Sequence, residues 1–179
     1  MTIDQLLAIS PAVKEPRGSE YLPYLNQAME EFEISTPLRQ AAFIAQLLHE
    51  SASFKYMEEI ASGAAYEGRR DLGNTQPGDG KRYKGRSPIQ ITGRANYKRY
   101  GDLLGLDLIN NSLQAATKEV GFRIAGLFWK LNGLNEMADA MNFKGTTKKI
   151  NGGYNGLANR IQYYERAKKV LAQPPISKG

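Results

Sequence analysis

Glu50 closes the apolar stretch Leu47-Leu48-His49-Glu50, and three more glutamates, Glu58, Glu59 and Glu67, follow it in a polar segment. One carboxyl at the end of a hydrophobic helix, with others in the loop behind it, suits acid–base hydrolysis. The first keeps its proton near neutral pH and gives it to a leaving oxygen. The second stays ionised and activates water or attacks directly, which is the division of labour that cuts glycosidic bonds. Burial against apolar neighbours is what raises the first carboxyl's pKa. Glu50 fits that role, with Gln46 and Phe43 one and two turns back on its face and Phe54 four residues on. The second carboxylate is to be found among Glu58, Glu59 and Glu67. Glu67, within Ala65-Tyr66-Glu67-Gly68-Arg69-Arg70, reads as readily as a structural ion-pair residue.

Other chemistries are closed off by residue type. The chain has no cysteine and one histidine, so disulfides, thiolate sites and multi-histidine metal sites are excluded. His49-Glu50 suggests a zinc peptidase helix, but the second histidine required four residues on is Ser53. No metal or organic cofactor is implied.

The elements that must position these carboxyls are mostly helical. Tyr21, Leu22, Leu25, Ala28, Met29 and Phe32 recur at helical spacing. Thr36-Pro37 reads as an N-cap with proline at the first helical position. The helix it opens is apolar on nearly every face (Leu38, Ala41, Ala42, Phe43, Ile44, Ala45, Leu47, Leu48), as expected of a central buried helix. From Ser62 to Gly93 the periodicity fails and Gly and Pro cluster, which predicts a long functional loop with at most a short β-hairpin. Helical spacing returns at Val120, Ile124, Leu127, Phe128 and Leu131, and again at Leu157, Ile161, Tyr164, Ala167 and Leu171. The expectation is one mainly α domain over residues 1–173, with a disordered tail at 174–179.

Two further segments complete a pattern. Tyr83-Lys84-Gly85-Arg86-Ser87-Pro88-Ile89-Gln90-Ile91-Thr92-Gly93 is followed by Asn96-Tyr97. Ile150-Asn151-Gly152-Gly153-Tyr154-Asn155-Gly156 is followed by Asn159-Arg160-Ile161-Gln162-Tyr163-Tyr164. With the Glu50 segment, in this order and over roughly residues 40 to 170, they resemble glycoside hydrolase family 19, the lysozyme-like, chitinase-like helical fold that many phage endolysins use. Single-domain phage or prophage endolysins of Gram-negative hosts are the nearest likeness. The resemblance implies an inverting mechanism with Glu50 as acid and, nine residues on, Glu59 as base, Glu58 being its close competitor. It further implies that Thr92 helps hold the nucleophilic water and that Gln90, Asn96 and Asn151 bind sugar. Tyr83 and Tyr97 are candidates to stack on sugar faces, and Arg160 to orient the base carboxylate. Ser87 stands where the family usually has Gly, which tightens the allowed backbone angles.

Composition narrows the substrate without fixing it. The net charge is +6, unevenly placed: residues 1–80 hold 12 acidic and 6 basic side chains, residues 81–179 hold 6 and 18. Such a basic half favours polyanionic surfaces. No stretch reaches the roughly 18 apolar residues that mark a membrane-spanning helix, and no signal peptide is visible. With the absence of cysteine and the short loops, these features resemble an endolysin more than a plant-type chitinase. The expected substrate is the MurNAc-GlcNAc backbone of peptidoglycan, muramidase ahead of glucosaminidase, reached from the bacterial cytoplasm through a holin-type pore. Chitin is the alternative polymer, and a non-catalytic cell-wall or polyanion-binding protein the alternative class. Nucleic acid is not expected as a partner, and a monomer is. The last helix, with Arg160, Arg166, Lys168 and Lys169 beside Ile161, Tyr164, Val170 and Leu171, is a candidate contact for anionic lipid or lipopolysaccharide.

Overall fold

The computed structural model describes residues 1–173; the 174–179 tail lies outside the described residues. Nine α-helices are described: α1 (Ile3–Ile9), α2 (Arg17–Glu31), α3 (Pro37–Glu50), α4 (Asp79–Arg82), α5 (Arg94–Leu104), α6 (Lys118–Leu131), α7 (Leu134–Asp139), α8 (Phe143–Asn151) and α9 (Leu157–Leu171). The fold is mainly α, as the periodicity predicts. The expected hairpin reduces, among the described residues, to two isolated bridges, Glu58 to Arg86 and Arg86 to Ile91.

Helix α3 is the centre. Thr36 caps it by accepting from the Arg39 amide at 3.2 Å, Pro37 follows, and every residue from Ala41 to Leu48 is buried. An α-helix that is apolar all round must be surrounded. Here α9 lies along it as the most extensive helix pair, with α7 and α8 also against it, while α2 packs on α6. Phe43 meets Trp129 edge-on at 5.2 Å, and Trp129 satisfies its indole N–H on Asn135 Oδ1 at 3.0 Å, so the large aromatic is buried without an orphan donor.

The long polar segment is not structureless. Two 3₁₀ turns (Ala64–Tyr66 and Arg70–Leu72) and α4 lie within it, and buried polar groups knit them together. Asn74 accepts from the Arg94 amide at 2.8 Å and donates to the Tyr66 carbonyl at 2.8 Å. It thereby caps α5, whose own N-cap residue Gly93 offers no side chain. Glu67, the sequence's ion-pair candidate, instead accepts from the amides of Gly78 and Gly80 at 2.7 and 2.8 Å. Asp79 accepts from Arg94 and from the amides of Thr75 and Gln76.

These bonds make the loop acid-sensitive. The hydrogen bond from Arg94 holds the Asp79 carboxyl below the usual carboxylate range against the opposing effect of burial, with the Gln76 and Thr75 amides assisting. A depressed carboxylate contributes stability that is full above its unfolded pKa of about 3.9 and is lost as the pH falls through the lower folded value. Thermal melts between about pH 4 and pH 2 are therefore expected to show a steeper loss of Tm in the native chain than in Asp79→Asn. Parallel slopes would remove Asp79 from the account.

Candidate active site

The path from Glu50 to Glu59 is the least regular part of the backbone. Ala52, Ser53 and Phe54 take φ values of 48°, 59° and 62°, three consecutive L residues in the left-handed region. Each costs roughly 1–2 kcal/mol, so the surroundings must over-determine the hook. They do. Ser51 donates to the Leu47 carbonyl at 2.6 Å and accepts from the Phe54 amide at 2.9 Å. The Ser53 hydroxyl sits 3.0 Å from that of Ser10 and 3.2 Å from that of Tyr163. Phe54 is fully buried, edge-on to Phe122 at 5.3 Å. None of the three is Gly, Asn or Asp, so the sequence offers no sign of the hook.

The hook delivers residues 57–59 alongside 85–87 in an extended layer. The Glu59 amide donates to Gly85 O at 2.9 Å, and that of Ser87 to Met57 O at 2.9 Å. On the far side Arg86 and Ile91 exchange backbone bonds at 3.1 and 2.9 Å. Ser87 and Gln90 bend this segment with φ of 76° and 59°. Ser87 thus occupies the backbone conformation that its replacement of Gly foreshadows, and its hydroxyl donates to Gly121 O at 3.0 Å. A Cβ at Gly85 would come within 2.6 Å of Glu59 Oε2 and 2.7 Å of Gln90 Oε1, so a larger residue there displaces the ends of both side chains.

Along this extended layer, adjacent side chains face opposite ways, and Glu58 and Glu59 have different surroundings. Both oxygens of Glu58 are held: Oε1 by Lys84 at 2.8 Å and Oε2 by Arg86 at 2.5 Å. Burial pushes this carboxyl up, but hydrogen bonds from the two cations, with their charges, outweigh it and hold it below the usual carboxylate range. Glu59 has one oxygen held, Oε2, by the Tyr66 hydroxyl at 3.0 Å. Its Oε1 is buried and has no hydrogen-bond partner among the described residues. Burial and the bond to Glu59 raise the Tyr66 phenol above its ordinary value, so it remains a neutral donor.

Glu50 is gripped from α9. Arg160, only 1% exposed, places Nη2 2.5 Å from Glu50 Oε1. That oxygen makes no aligned hydrogen bond, so the contact is an ion pair set by position rather than direction. The same guanidinium donates to Gln46 Oε1 at 2.6 Å and to Asn155 O at 3.0 Å, and Gln46 passes its amide to Thr147 at 2.8 Å. Arg160, expected to orient the base, instead pairs with Glu50, because α9 runs along α3 and not along the loop. Gly156 makes that approach feasible. It is the N-cap of α9 at φ 69°, and a Cβ there would strike the His49 ring at 2.1 Å.

The two tyrosines are also corrected. Tyr83 and Tyr97 are fully buried, with rings 5.1 Å apart, so neither offers a face to a sugar. Tyr83 donates to Ile109 O at 3.0 Å; Tyr97 donates to Lys84 O at 2.7 Å and accepts from Arg86 at 3.0 Å. They are pillars beneath the 84–86 segment. Burial pushes the Tyr97 phenol up to about 12. Gln90 and Thr92 stay half-buried beside Gly85; Gln90 donates to Ser87 O at 3.0 Å and Thr92 to Gln90 O at 3.2 Å. Asn96 donates to Thr92 O at 2.9 Å, and Asn151 is exposed at the end of α8. Tyr66, Lys84 and Arg86 hold the loop carboxylates, contacts that residue spacing does not announce. Gln46, on the Glu50 face of α3, is a buried amide between apolar neighbours; Tyr66 reaches Glu59 through a 3₁₀ turn that no periodicity reveals.

Residues 39–141, more than half of the chain, match the family model for class I chitinases of glycoside hydrolase family 19. The chain belongs to glycoside hydrolase family 19. An endochitinase of Arabidopsis thaliana is 40% identical over 142 residues, covering 75% of this chain and 48% of that protein. A family 19 domain-containing protein of Haemophilus influenzae is 29% identical over 158 residues, covering 71% and 77%. This family 19 chain thus spans about half the length of the plant relatives. The fold is that of a bacterial family 19 chitinase (TM-score 0.78, 23% identity, 97% of this chain and 96% of that one). It is likewise that of chitinase C from Streptomyces griseus (0.77, 21%, 96% and 92%). Glu50, Glu59, Gln90 and Thr92 fall within the family 19 match. Asn151 and Arg160 lie beyond it, and Arg160 is tied to Glu50 by geometry alone.

Proposed function

We propose that the chain is an inverting glycoside hydrolase that cuts β-1,4 bonds of the MurNAc-GlcNAc backbone of peptidoglycan, as a muramidase. The observation that carries the hydrolase reading is the contrast at Glu58 and Glu59. A general base needs an ionised carboxylate with lone pairs free for the proton of a water. Glu58 has both oxygens committed to cations, whereas Glu59 is steadied through Oε2 and keeps Oε1 free among the described residues. Glu50 is assigned as the acid, with Oε1 fixed by Arg160 and Oε2 left to meet the leaving oxygen. Thr92, whose hydroxyl lone pairs remain available, helps hold the attacking water, and Gln90 and Asn151 meet sugar amides and hydroxyls.

Peptidoglycan is supported by the cationic second half of the chain. Chitin is the second reading, favoured by the plant endochitinases among the relatives. The apolar side of α9 is spent on the core, with Tyr164 and Ala167 buried, so any lipid contact rests on its charges alone. The deciding experiment is mass spectrometry of products from Gram-negative peptidoglycan, with chitin oligomers in parallel. Reducing muramic acid ends are expected. Reducing glucosamine ends make it a glucosaminidase, chitin cleavage alone makes it a chitinase, and intact polymers in both arms overturn the hydrolase reading.

A further inference from the structure

An open pocket of about 510 Å³ lies next to the layer that carries Glu59, with Glu58, Ser62, Lys81, Arg82, Lys84, Arg86 and Leu113 in its wall. Four cations face one carboxylate. Lys84 and Arg86 are occupied by Glu58, but Lys81 and Arg82, exposed on the short helix α4, make no ion pair or side-chain hydrogen bond among the described residues. Beside them Leu113 stands 69% exposed, an apolar side chain at the rim of a cationic hollow. Nothing in the hydrolytic chemistry uses this combination. Unpaired cations beside an exposed leucine match a ligand that carries carboxylates and small apolar side chains together.

We infer that this pocket is a subsite for the acidic stem peptide of peptidoglycan, with Lys81 and Arg82 binding its carboxylates and Leu113 its alanine methyl groups. The inference rests on the proposed hydrolase function and deepens it, because chitin has neither carboxylates nor peptide. The pocket and the candidate base share one stretch of backbone: Lys84 donates to the carbonyls of Glu59 and Ala61 at 3.0 and 3.2 Å. The pocket opens on the Glu58 side of that backbone and Glu59 faces the other, so the stem peptide of a strand seated at Glu59 must extend around the edge of the layer to reach it. Charges at such a rim act through encounter rate and selectivity and are sensitive to salt.

The test is the double variant Lys81→Ala/Arg82→Ala, whose two residues lie outside the hydrolytic machinery. Its kcat/KM is measured on stem-bearing peptidoglycan, on the same glycan stripped of stems by an amidase, and on chitin oligomers. Two exposed charge contacts are together worth about fivefold to tenfold. A loss of that size is expected on the stem-bearing polymer alone, shrinking as salt is raised. An equal loss on all substrates, or none on the stem-bearing one, overturns the subsite. If the native chain cuts no polymer, the hydrolase reading falls separately. The subsite is then judged by polarisation of a fluorescent stem tetrapeptide: native-chain binding weakened in the double variant supports it, and equal or absent binding overturns it.

Discussion

Glu59→Gln is expected to lower kcat by at least about a hundredfold, the usual scale for removing a positioned acid or base, while Glu58→Gln retains most of the turnover. The two residues are adjacent in sequence, and the backbone separates their tasks. An extended segment turns successive side chains to opposite sides, so Glu58 meets Lys84 and Arg86 while Glu59 meets Tyr66 and the bare backbone of Gly85. Replacing Glu58 leaves Arg86, 4% exposed, without its anion, which costs about 1–3 kcal/mol of stability rather than chemistry. The readouts therefore cross: the Glu59 variant melts near the native temperature and is inactive, and the Glu58 variant melts lower and turns over. Glu50→Gln belongs with the Glu59 variant in rate. If Glu58→Gln proved to be the inactive variant, the reading of the free Oε1 on Glu59 would be wrong.

What could be read from the sequence was whatever depends on one element at a time. Thr36-Pro37 starts α3, Ala41 to Leu48 bury it, and the spacing in 120–131 and 157–171 finds α6 and α9. Helix α5 escaped, because its buried residues Tyr97, Tyr100 and Gly101 are few and its cap is borrowed from Asn74, far back in the chain. The Ala52–Phe54 hook escaped because, apart from the Ser51 hydroxyl, the groups that hold its left-handed angles, Ser10, Tyr163 and Phe122, are distant in sequence. Tyrosines beside a glycine-rich turn suggested sugar platforms, yet Tyr83 and Tyr97 are consumed holding up the turn itself. Residue type proposes a role, and burial decides whether the side chain is free to perform it.

Arg160 carries an expected effect on stability as well as on rate. It is buried in α9, and its planar fork donates to Gln46 and the Asn155 carbonyl while pairing in charge with Glu50. Arg160→Gln is expected to cost about 1–3 kcal/mol, since it strands Gln46 and the partly exposed Glu50 without their cation. For a chain of this length that is a Tm lower by roughly 2–12 °C. Such a variant reports on folding as much as on catalysis, so Arg160→Lys is the sharper probe. Lysine keeps the charge but presents a point donor on a flexible stem, which cannot hold Glu50 and Gln46 in one plane. If Arg160 positions the acid, the lysine variant stays folded and loses about tenfold or more in kcat, with KM unchanged, because mispositioning by about 1 Å is enough to cost that much. If Arg160 merely fastens α9 to α3, Tm falls and kcat stays native. The separation is clean because Gln46 and Thr147 form the rest of the chain behind Arg160 and make no side-chain hydrogen bond to Glu50 or Glu59 among the described residues. Gln46→Leu should therefore reproduce the kcat loss in smaller measure if the network aims Glu50, and leave it untouched if the network only packs.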